Sequence, residues 1–179
     1  MRSENLKRER VPDSEDNAAF AAVYNRYKTG IYRFCCKMLV DHDEAKDVLQ
    51  EVFLKFFESP AHFDGDMFVK VWLFKSARNK CLNRIRDKEK LSNIGDGGED
   101  IPELAASDPE FNDSSRLLET LFENLPIDYR EVLIMREWDE LSYAEIAEAL
   151  DTTVSTVKSK LFKARKKASE IYRKLYGDE

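Results

Sequence analysis

The residues best suited to chemistry lie in the last third of the chain, where small polar and basic side chains follow a helix-starting motif. Ser142 and Glu145 have the spacing of a capping box, which starts a helix by satisfying its first backbone N–H groups. Residues 151–153 then separate this helix from a second apolar stripe. Two short helices joined by a three-residue turn are typical of a helix-turn-helix, whose second helix reads bases in the major groove.

The second of these helices is predicted to carry both base and phosphate contacts. Val154, Val157 and Leu161 are expected to turn inward. The outward side chains expected to reach base edges are then Ser155, Thr156, Lys158, Ser159 and Lys163. Phosphates are the expected partners of Lys160, Arg165, Lys166 and Lys167. A helical hairpin with a solvated basic tail is the simpler alternative.

A helix predicted from about Phe68 to Lys88 carries two unlike stripes. The first is apolar and predicts a core face formed by Val71, Phe74, Cys81, Leu82 and Ile85. The second combines Trp72, Lys75, Ser76, Asn79, Asn83 and Arg86. Aromatic rings stack on unpaired bases while basic groups follow phosphates, so this surface suits single-stranded or opening DNA. A tryptophan at the core edge beside solvated polar residues explains it equally well.

Two further amphipathic helices are predicted before this one. In the first, Ser14 can act as the cap, and apolar residues recur at helical spacing from Phe20 to Met38. The second begins near Asp41 and ends at Ser59-Pro60, with a buried stripe of Val48, Leu49, Val52, Phe53 and Phe56. One outward face of the second helix, here called the docking face, carries Asp47, Gln50 and Glu51. Either a solvated acidic face or a partner contact accounts for these three residues.

Charge and composition divide the chain into regions. The net charge is −6, yet residues 92–115 hold seven acidic and no basic residues, whereas residues 152–176 hold eight basic residues and one acid. Local charge, more than net charge, is expected to decide nucleic-acid binding. With no strand-type alternation of useful length, the prediction is an all-α protein with two small helical domains, residues 1–90 and 116–179, joined by a flexible acidic linker, residues 91–115.

Several function classes are disfavoured. Cys35, Cys36 and Cys81 lack the spacing of a zinc site or a disulfide framework and are expected to be buried thiols in a reducing cytosol. No apolar run approaches the length that spans a bilayer. There is no phosphate-binding glycine loop or metal-ligand cluster, and neither His42 nor His62 belongs to a nucleophile motif. A cytoplasmic protein with no metal, cofactor or enzyme activity is expected.

The stretch from Leu125 to Ala168 closely resembles the C-terminal promoter-binding domain of extracytoplasmic-function sigma factors. The resemblance implies that its helix-turn-helix reads the upstream, minus-thirty-five promoter element. Asp151 departs from the glycine that the family usually has in the turn. Because aspartate tolerates left-handed backbone better than most residues, the turn is still expected to form.

The N-terminal segments resemble the same family. Residues 71–79, VWLFKSARN, look like the segment that recognises and melts the minus-ten element. The stripe of Trp72, Lys75, Ser76, Asn79, Asn83 and Arg86 is therefore called the minus-ten surface. The resemblance assigns the preceding loop to a pocket for a flipped base, formed by His62, Phe63, Asp64, Gly65 and Asp66, with Phe63 as the expected DNA contact. Residues 43–53 resemble the segment that docks onto the clamp helices of RNA polymerase, which implies that the docking face binds basic clamp residues.

The resemblance therefore implies an RNA polymerase sigma factor that directs core polymerase to promoters and promotes DNA opening. Core polymerase and promoter DNA are the implied partners, an anti-sigma factor is a candidate further partner, and no membrane insertion is expected. A free-standing helix-turn-helix regulator would share the C-terminal motif but not the minus-ten surface or the docking face. A helical adaptor that binds only protein should lack the basic second helix.

Overall fold

The computed structural model describes residues 14–58, 65–94 and 113–177, and every regular element in these ranges is helical. The α-helices are α1 (Ser14–Leu39), α2 (His42–Glu58), α3 (Asp66–Ile94), α4 (Asp113–Glu123), α5 (Ile127–Leu133), α6 (Tyr143–Ala149) and α7 (Val154–Tyr176). A π-helical turn, Ile134–Trp138, continues α5. The prediction of an all-α fold is confirmed.

Helices α1, α2 and α3 pack together as the N-terminal half of the structure. The apolar spacing in α1 produces a buried stripe at its C-terminal end, with Ile31, Phe34 and Met38 fully buried. At the start of α2, the Asp41 carboxylate accepts hydrogen bonds from the backbone N–H groups of Asp43 and Glu44, at 3.1 and 3.0 Å. An acid in this position satisfies N–H groups that have no partner within the helix, which explains where α2 begins.

Helix α3 is longer and more deeply buried than the sequence predicts. Its predicted core residues are buried at Val71, Phe74 and Cys81 but only half-buried at Leu82 and Ile85. Three residues outside the predicted core stripe are also buried, namely Val69, Leu73 and Ala77. The reason is that α3 packs against α1 and α2 and also against α6, so more than one of its faces is covered.

The C-terminal half contains the predicted helix-turn-helix, formed by α6 and α7. Ser142 Oγ accepts from the N–H of Glu145 at 3.2 Å, and the Glu145 carboxylate accepts from the N–H of Ser142 at 2.7 Å, so the capping box is confirmed. In the turn, Asp151 adopts a left-handed backbone with φ of 50°. Thr153 then caps α7 through a 3.2 Å hydrogen bond from the N–H of Thr156.

One residue of the predicted apolar stripe of α7 is placed differently by the structure. Val157 and Leu161 are buried, but Val154 is 38% exposed, so its expected inward orientation is wrong. Val154 is the first residue of α7, where the preceding chain leaves the turn and does not cover it. The core contribution of α7 therefore begins at Val157.

The two halves of the chain are packed against each other. Helix α1 contacts α4, α5 and the π turn, and α3 contacts α6. Across this interface, Arg130 Nη1 donates to the backbone carbonyl of Met38 at 2.7 Å, and the ammonium of Lys37 lies 5.6 Å from the ring centroid of Trp138. Because α3 continues to Ile94 and α4 begins at Asp113, the predicted linker, residues 91–115, is helical at both ends. Residues 95–112 lie outside the described residues.

We expect Ser142→Ala to lower the free energy of unfolding by about 1 kcal/mol, because the first turn of α6 loses a side-chain acceptor. Chemical denaturation followed by circular dichroism measures the change. Ser169→Ala, at an exposed position within α7, is the matched control and should leave stability nearly unchanged. Equal stability losses for the two variants would show that the capping box does not stabilise the helix-turn-helix.

Candidate nucleic-acid interface

The outward side of α7 presents most of the residues predicted to contact the upstream element. Ser155, Thr156, Ser159 and Lys163 are exposed, and with Lys160 they line an open depression of about 470 Å³. Asp128 and Tyr129 of α5 complete its lining. Small side chains between lysines allow a helix to approach the edges of bases while cations meet the phosphates.

Two lysines of α7, Lys158 and Lys160, contact neighbouring helices, and of these two Lys160 lines the depression. Lys158 does not line it, and its ammonium lies 5.8 Å from the ring centroid of Tyr143 on α6. The ammonium of Lys160 lies 3.7 Å from Glu131 and 4.0 Å from Asp128. Both lysines are therefore partly held by neighbouring helices, whereas Lys163 projects from α7 as an exposed cation.

The minus-ten surface forms one face of α3, but its residues differ in exposure. Asn79, Asn83 and Arg86 are exposed, whereas Lys75 and Ser76 are half-buried. Arg86 donates to Asn83 on the same helix, which orders both side chains along α3. Lys75 extends to the carboxylate of Asp151 in the helix-turn-helix turn, so the structure engages this cation across the interface.

Trp72 is the aromatic residue of the minus-ten surface, and it is half-buried. Its ring centroid lies 5.5 Å from that of Phe56 on α2, and the Lys55 ammonium lies 6.0 Å from the Trp72 centroid. The indole is thus fixed at the edge of the core and partly open to solvent. A ring held in this way can offer its exposed part for stacking without a large loss of side-chain freedom.

The loop predicted to hold a flipped base is only marginally described. Phe63, with His62 and Asp64, lies outside the described residues. Gly65 is exposed and has a φ of 118°, a conformation that residues with a side chain rarely adopt. The chain then enters α3 at Asp66.

The docking face of α2 is also brought together by the fold. Asp47 and Gln50 are exposed and, with Glu51 and the 58%-exposed Leu54, line an open depression of about 460 Å³. Leu54 was not predicted as part of this face, although it lies on the same side of the helix, three residues beyond Glu51.

Glu51 differs from the other two members of the docking face because it is paired within the chain. Its carboxylate accepts from Lys80 and, at 2.6 Å, from Arg84, both on α3. The Lys80 hydrogen bond is the main influence that holds the pKa of Glu51 below its ordinary value. Glu51 therefore joins α2 to α3, while Asp47 and Gln50 face solvent.

The three cysteines are free thiols, and Cys35 and Cys81 are buried as predicted. Cys36 is half-buried, with its sulfur 3.5 Å from Nδ1 of His42, whose Nε2 lies 3.7 Å from Glu119. This order resembles a nucleophile, base and acid, but burial raises the pKa of the Cys36 thiol. A nucleophilic cysteine requires a lowered pKa, so the arrangement does not favour covalent catalysis.

Neither a metal centre nor a membrane-crossing helix is found in the described ranges. No group of three histidine, cysteine, aspartate or glutamate residues there is placed to hold a metal ion. None of the described helices combines the length and apolar character needed to cross a membrane.

Sequence reasoning missed the charged residues that join the two halves. Arg78 of α3 donates to the buried Glu131 of α5, with 2.6 Å between Nε and Oε2, and Lys70 Nζ lies 3.2 Å from the Glu145 carboxylate. These partners are separated by more than fifty residues in the chain, so no local spacing could have indicated the pairs.

Comparison with known proteins agrees with this architecture. The chain matches sigma-70 region 2 over residues 23–91 and sigma-70 region 4 over residues 115–167. The ECF RNA polymerase sigma factor SigW of Bacillus subtilis is 32% identical, with 84% of this chain and 87% of SigW covered. SigM of the same organism, also an ECF RNA polymerase sigma factor, is 30% identical over 88% of this chain and 97% of SigM.

Among solved structures, the sigma factor RpoE of Bartonella quintana, in complex with the anti-sigma factor NepR, has the same fold. The TM-score is 0.72 at 22% identity, with 87% of this chain and 97% of RpoE covered. The matched regions cover both halves of the structure described above, and the relatives are matched over most of their length. The chain therefore belongs to the ECF RNA polymerase sigma factors and acts in promoter-specific initiation of transcription.

Proposed function

We propose that this sigma factor divides promoter recognition between two surfaces and binds core polymerase through a third. In this proposal α7 reads the minus-thirty-five element, the minus-ten surface with Phe63 engages and opens the minus-ten element, and the docking face of α2 binds polymerase. The protein would act as a detachable subunit in the cytoplasm, where core polymerase works, and would catalyse no reaction of its own. The domain division follows as residues 1–90 for docking and opening and 116–179 for upstream recognition.

The observation that carries the proposal is the outward row of α7. Val157 and Leu161 anchor the helix in the core, and the opposite side presents small hydroxyl side chains beside exposed lysines. Hydroxyl groups can donate to or accept from base edges, and a helix with small outward side chains can enter the major groove closely. The Thr156 hydroxyl lies 2.9 Å from that of Thr153, so it is positioned by the N-cap of α7.

Support for the minus-ten surface comes from the mixture of a fixed ring with exposed amide and cationic groups. Trp72 is held at the core edge by Phe56, and Asn79, Asn83 and Arg86 follow it along the exposed face of α3. A ring at one end can support an unpaired base, while the polar groups beyond it follow the strand. Lys75 joins this surface when it is released from Asp151.

The geometry of α2 supports one role for Asp47 and Gln50, together with the neighbouring Leu54, and a different role for Glu51. Asp47, Gln50 and Leu54 form an exposed polar and apolar contact area suited to a basic and partly apolar helix surface on polymerase. Glu51 would act mainly by fixing α2 to α3 through Lys80 and Arg84. Its substitution should therefore disturb the orientation of the docking face as well as its charge.

An anti-sigma factor is a proposed further partner. The RpoE protein of similar fold was solved bound to one, NepR. In this chain, Leu54 and Phe57 of α2 are 58% and 39% exposed, which provides apolar contact area beside the docking face. A partner that covers this area would compete directly with core polymerase.

Run-off transcription with purified core polymerase, this chain and a library of promoter sequences tests the proposal as a whole. Transcripts should depend on the added chain and should select templates with two separated conserved elements. Transcription that is unchanged when the chain is omitted would contradict the proposal.

Replacing Lys158 and Ser159 together with alanine should weaken selection of the upstream element, by roughly fivefold in affinity for each base-specific hydrogen bond that is removed, since such a bond contributes about 1 kcal/mol. Binding of the assembled holoenzyme to promoters with an intact or scrambled upstream element measures the effect. The matched control is Lys174→Ala, an exposed lysine at the far end of α7, which should leave discrimination unchanged. Uniform weakening on both templates would assign the two residues to phosphate contacts only.

Trp72→Ala should impair DNA opening more than initial promoter binding, because stacking is needed only once bases are unpaired. Permanganate reactivity of thymines reports opening, and filter binding at low temperature reports the closed complex. Trp72→Phe retains an aromatic ring and should preserve part of the opening activity. Equal defects in both steps would contradict a specific role for the ring in melting.

Asp47→Ala combined with Gln50→Ala should weaken binding to core polymerase while leaving thermal stability unchanged, since both side chains are exposed. Competition against a labelled sigma factor measures the affinity. Glu51→Ala should lower both affinity and stability, because Lys80 and Arg84 lose their shared partner. If the double variant bound polymerase as tightly as the parent, the docking face would lie elsewhere.

A further inference from the structure

Opposite charges meet where the two halves of the chain pack together. The N-terminal half contributes basic groups, and the C-terminal half contributes carboxylates. Lys70 Nζ lies 3.2 Å from Glu145, Arg78 Nε lies 2.6 Å from Glu131, and Lys75 pairs with Asp151. Lys75 is one of the residues of the minus-ten surface, and Lys70 and Arg78 lie on the same helix.

These carboxylates hold α3 cations that a DNA strand would otherwise attract. Asp151 lies in the turn that leads into α7, so one contact engages both proposed DNA-binding regions. The Asp151 carboxylate neutralises much of the charge of Lys75 and repels an approaching phosphate, so this contact weakens the attraction of Lys75 for DNA. The packed arrangement therefore competes with promoter DNA for the same positive charges.

We propose that the free chain closes on itself, with the C-terminal half covering part of the minus-ten surface, and that protonation of the buried Asp139 carboxyl tightens this closure. The occlusion part of the inference rests on the proposed role of the minus-ten surface, whereas the closure and its control by Asp139 rest on the interface alone. Opening would expose Lys75 for DNA and return Asp139 to water.

Asp139 lies directly after the π turn and points into the interface. Its side chain is 2% exposed, and neither carboxylate oxygen has a hydrogen-bond partner in the described part of the chain. The N-terminal half covers it closely, since a Cβ placed on Gly30 of α1 would lie 3.5 Å from Oδ1 of Asp139. Because this cover belongs to the other half of the chain, separation of the halves would hydrate the carboxyl.

The groups that face Asp139 are mainly cations, but none forms a close pair with it. From α1 these are Arg33, whose Nη2 lies 3.8 Å from Oδ1, and Lys37, with the buried thiol of Cys35 nearby. From α3 the facing cation is Lys70, which is shared with Glu145 of α6. Arg33 is half-exposed, and burial lowers the pKa of Lys37. Their attraction does not compensate for the lost hydration of the carboxylate.

Burial consequently raises the pKa of Asp139 to about 7 in the closed arrangement. A hydrated aspartate in the open form would titrate near its ordinary pKa of about 4. Since the closed form binds the proton more tightly, protonation favours closure, and this contribution is lost as the pH rises through about 7. Burial also raises the pKa of Glu131, which acts in the same direction.

The size of the effect follows from linkage. With a closed-state pKa of about 7, the ratio of closed to open molecules should fall about tenfold between about pH 6 and about pH 8. The pairing of Glu145 with Lys70 does not oppose this change, because the pKa of Glu145 is lowered and the group stays ionised throughout that interval.

The test uses a native probe in the full-length chain. Trp138 lies in the interface beside Lys37, and with Trp72→Phe as background it is the one that remains of the two tryptophans in the sequence. Its emission spectrum and the radius of gyration from small-angle X-ray scattering are followed from about pH 6 to about pH 8 at constant ionic strength. The background protein should expand and its emission shift to longer wavelength as the pH rises.

Three further variants, each made in the Trp72→Phe background, test whether the pH-dependent expansion comes from Asp139. Asp139→Asn, neutral at every pH, should remain compact and lose most of the transition, with any small remaining response assigned to Glu131. Gly30→Leu places a side chain against Asp139 and also toward Phe74 of α3, whose Cζ lies 3.9 Å from the added Cβ, so it should be open at both pH values. Its circular dichroism must show that the N-terminal helices stay folded. Glu148→Gln, at an exposed acid of α6, is the matched control and should follow the background curve.

Identical titration curves for Asp139→Asn and the background, or a radius of gyration that does not change with pH, would overturn the inference. Circular dichroism of each variant separates opening from unfolding, because opening retains the helical signal. Neither readout contains DNA or polymerase. Failure here would leave the proposed promoter contacts standing, and failure of the transcription assays would leave the closure standing.

Discussion

A carboxyl group with no exposed surface keeps its charge only when a cation or hydrogen-bond donor pairs with it, and this requirement links the two halves of the structure. Glu131 of α5 is fully buried, and its closest cation, Arg78, comes from α3 in the other half. An isolated buried charge costs several kcal/mol, and Arg78 of α3 offsets this cost from the other half, with Lys160 of α7 3.7 Å from the same carboxylate. On a different face of α3, Lys80 and Arg84 form ion pairs with Glu51 of α2. Ion pairs on separate sides therefore fix the rotation of α3 about its axis.

That orientation of α3 connects the fold to the proposed promoter contacts. The same helix supplies core residues such as Phe74, the exposed amides of the minus-ten surface, and cations that meet the C-terminal half. Lys75 belongs both to the minus-ten surface and to the cations that meet the C-terminal half. If the minus-ten surface binds DNA as proposed, competition between the Asp151 carboxylate and DNA for Lys75 would couple promoter binding to separation of the halves.

Local features of the fold were predictable because their interactions lie close together in the chain. The capping box of Ser142 and Glu145 spans three residues, and the left-handed backbone of Asp151 depends on its own side chain and turn. The stripe of α1 from Phe20 to Met38 follows from the helical repeat alone. By contrast, the repeat overestimated the burial of Val154, because a helix's first residue is covered only if another element reaches it.

The sequence by itself determined the helical class, the helix-turn-helix and the faces of α2, α3 and α7 that carry polar chemistry, since each depends on residues within a few turns of one another. Only the tertiary structure decided which of those groups have internal partners. It paired Glu51 with Lys80 and Arg84, and Lys75 with Asp151. It also buried Asp139 against Gly30. These outcomes depend on the packing of helices far apart in the chain, where long-range contact and desolvation, not residue spacing, set the energy of a charge.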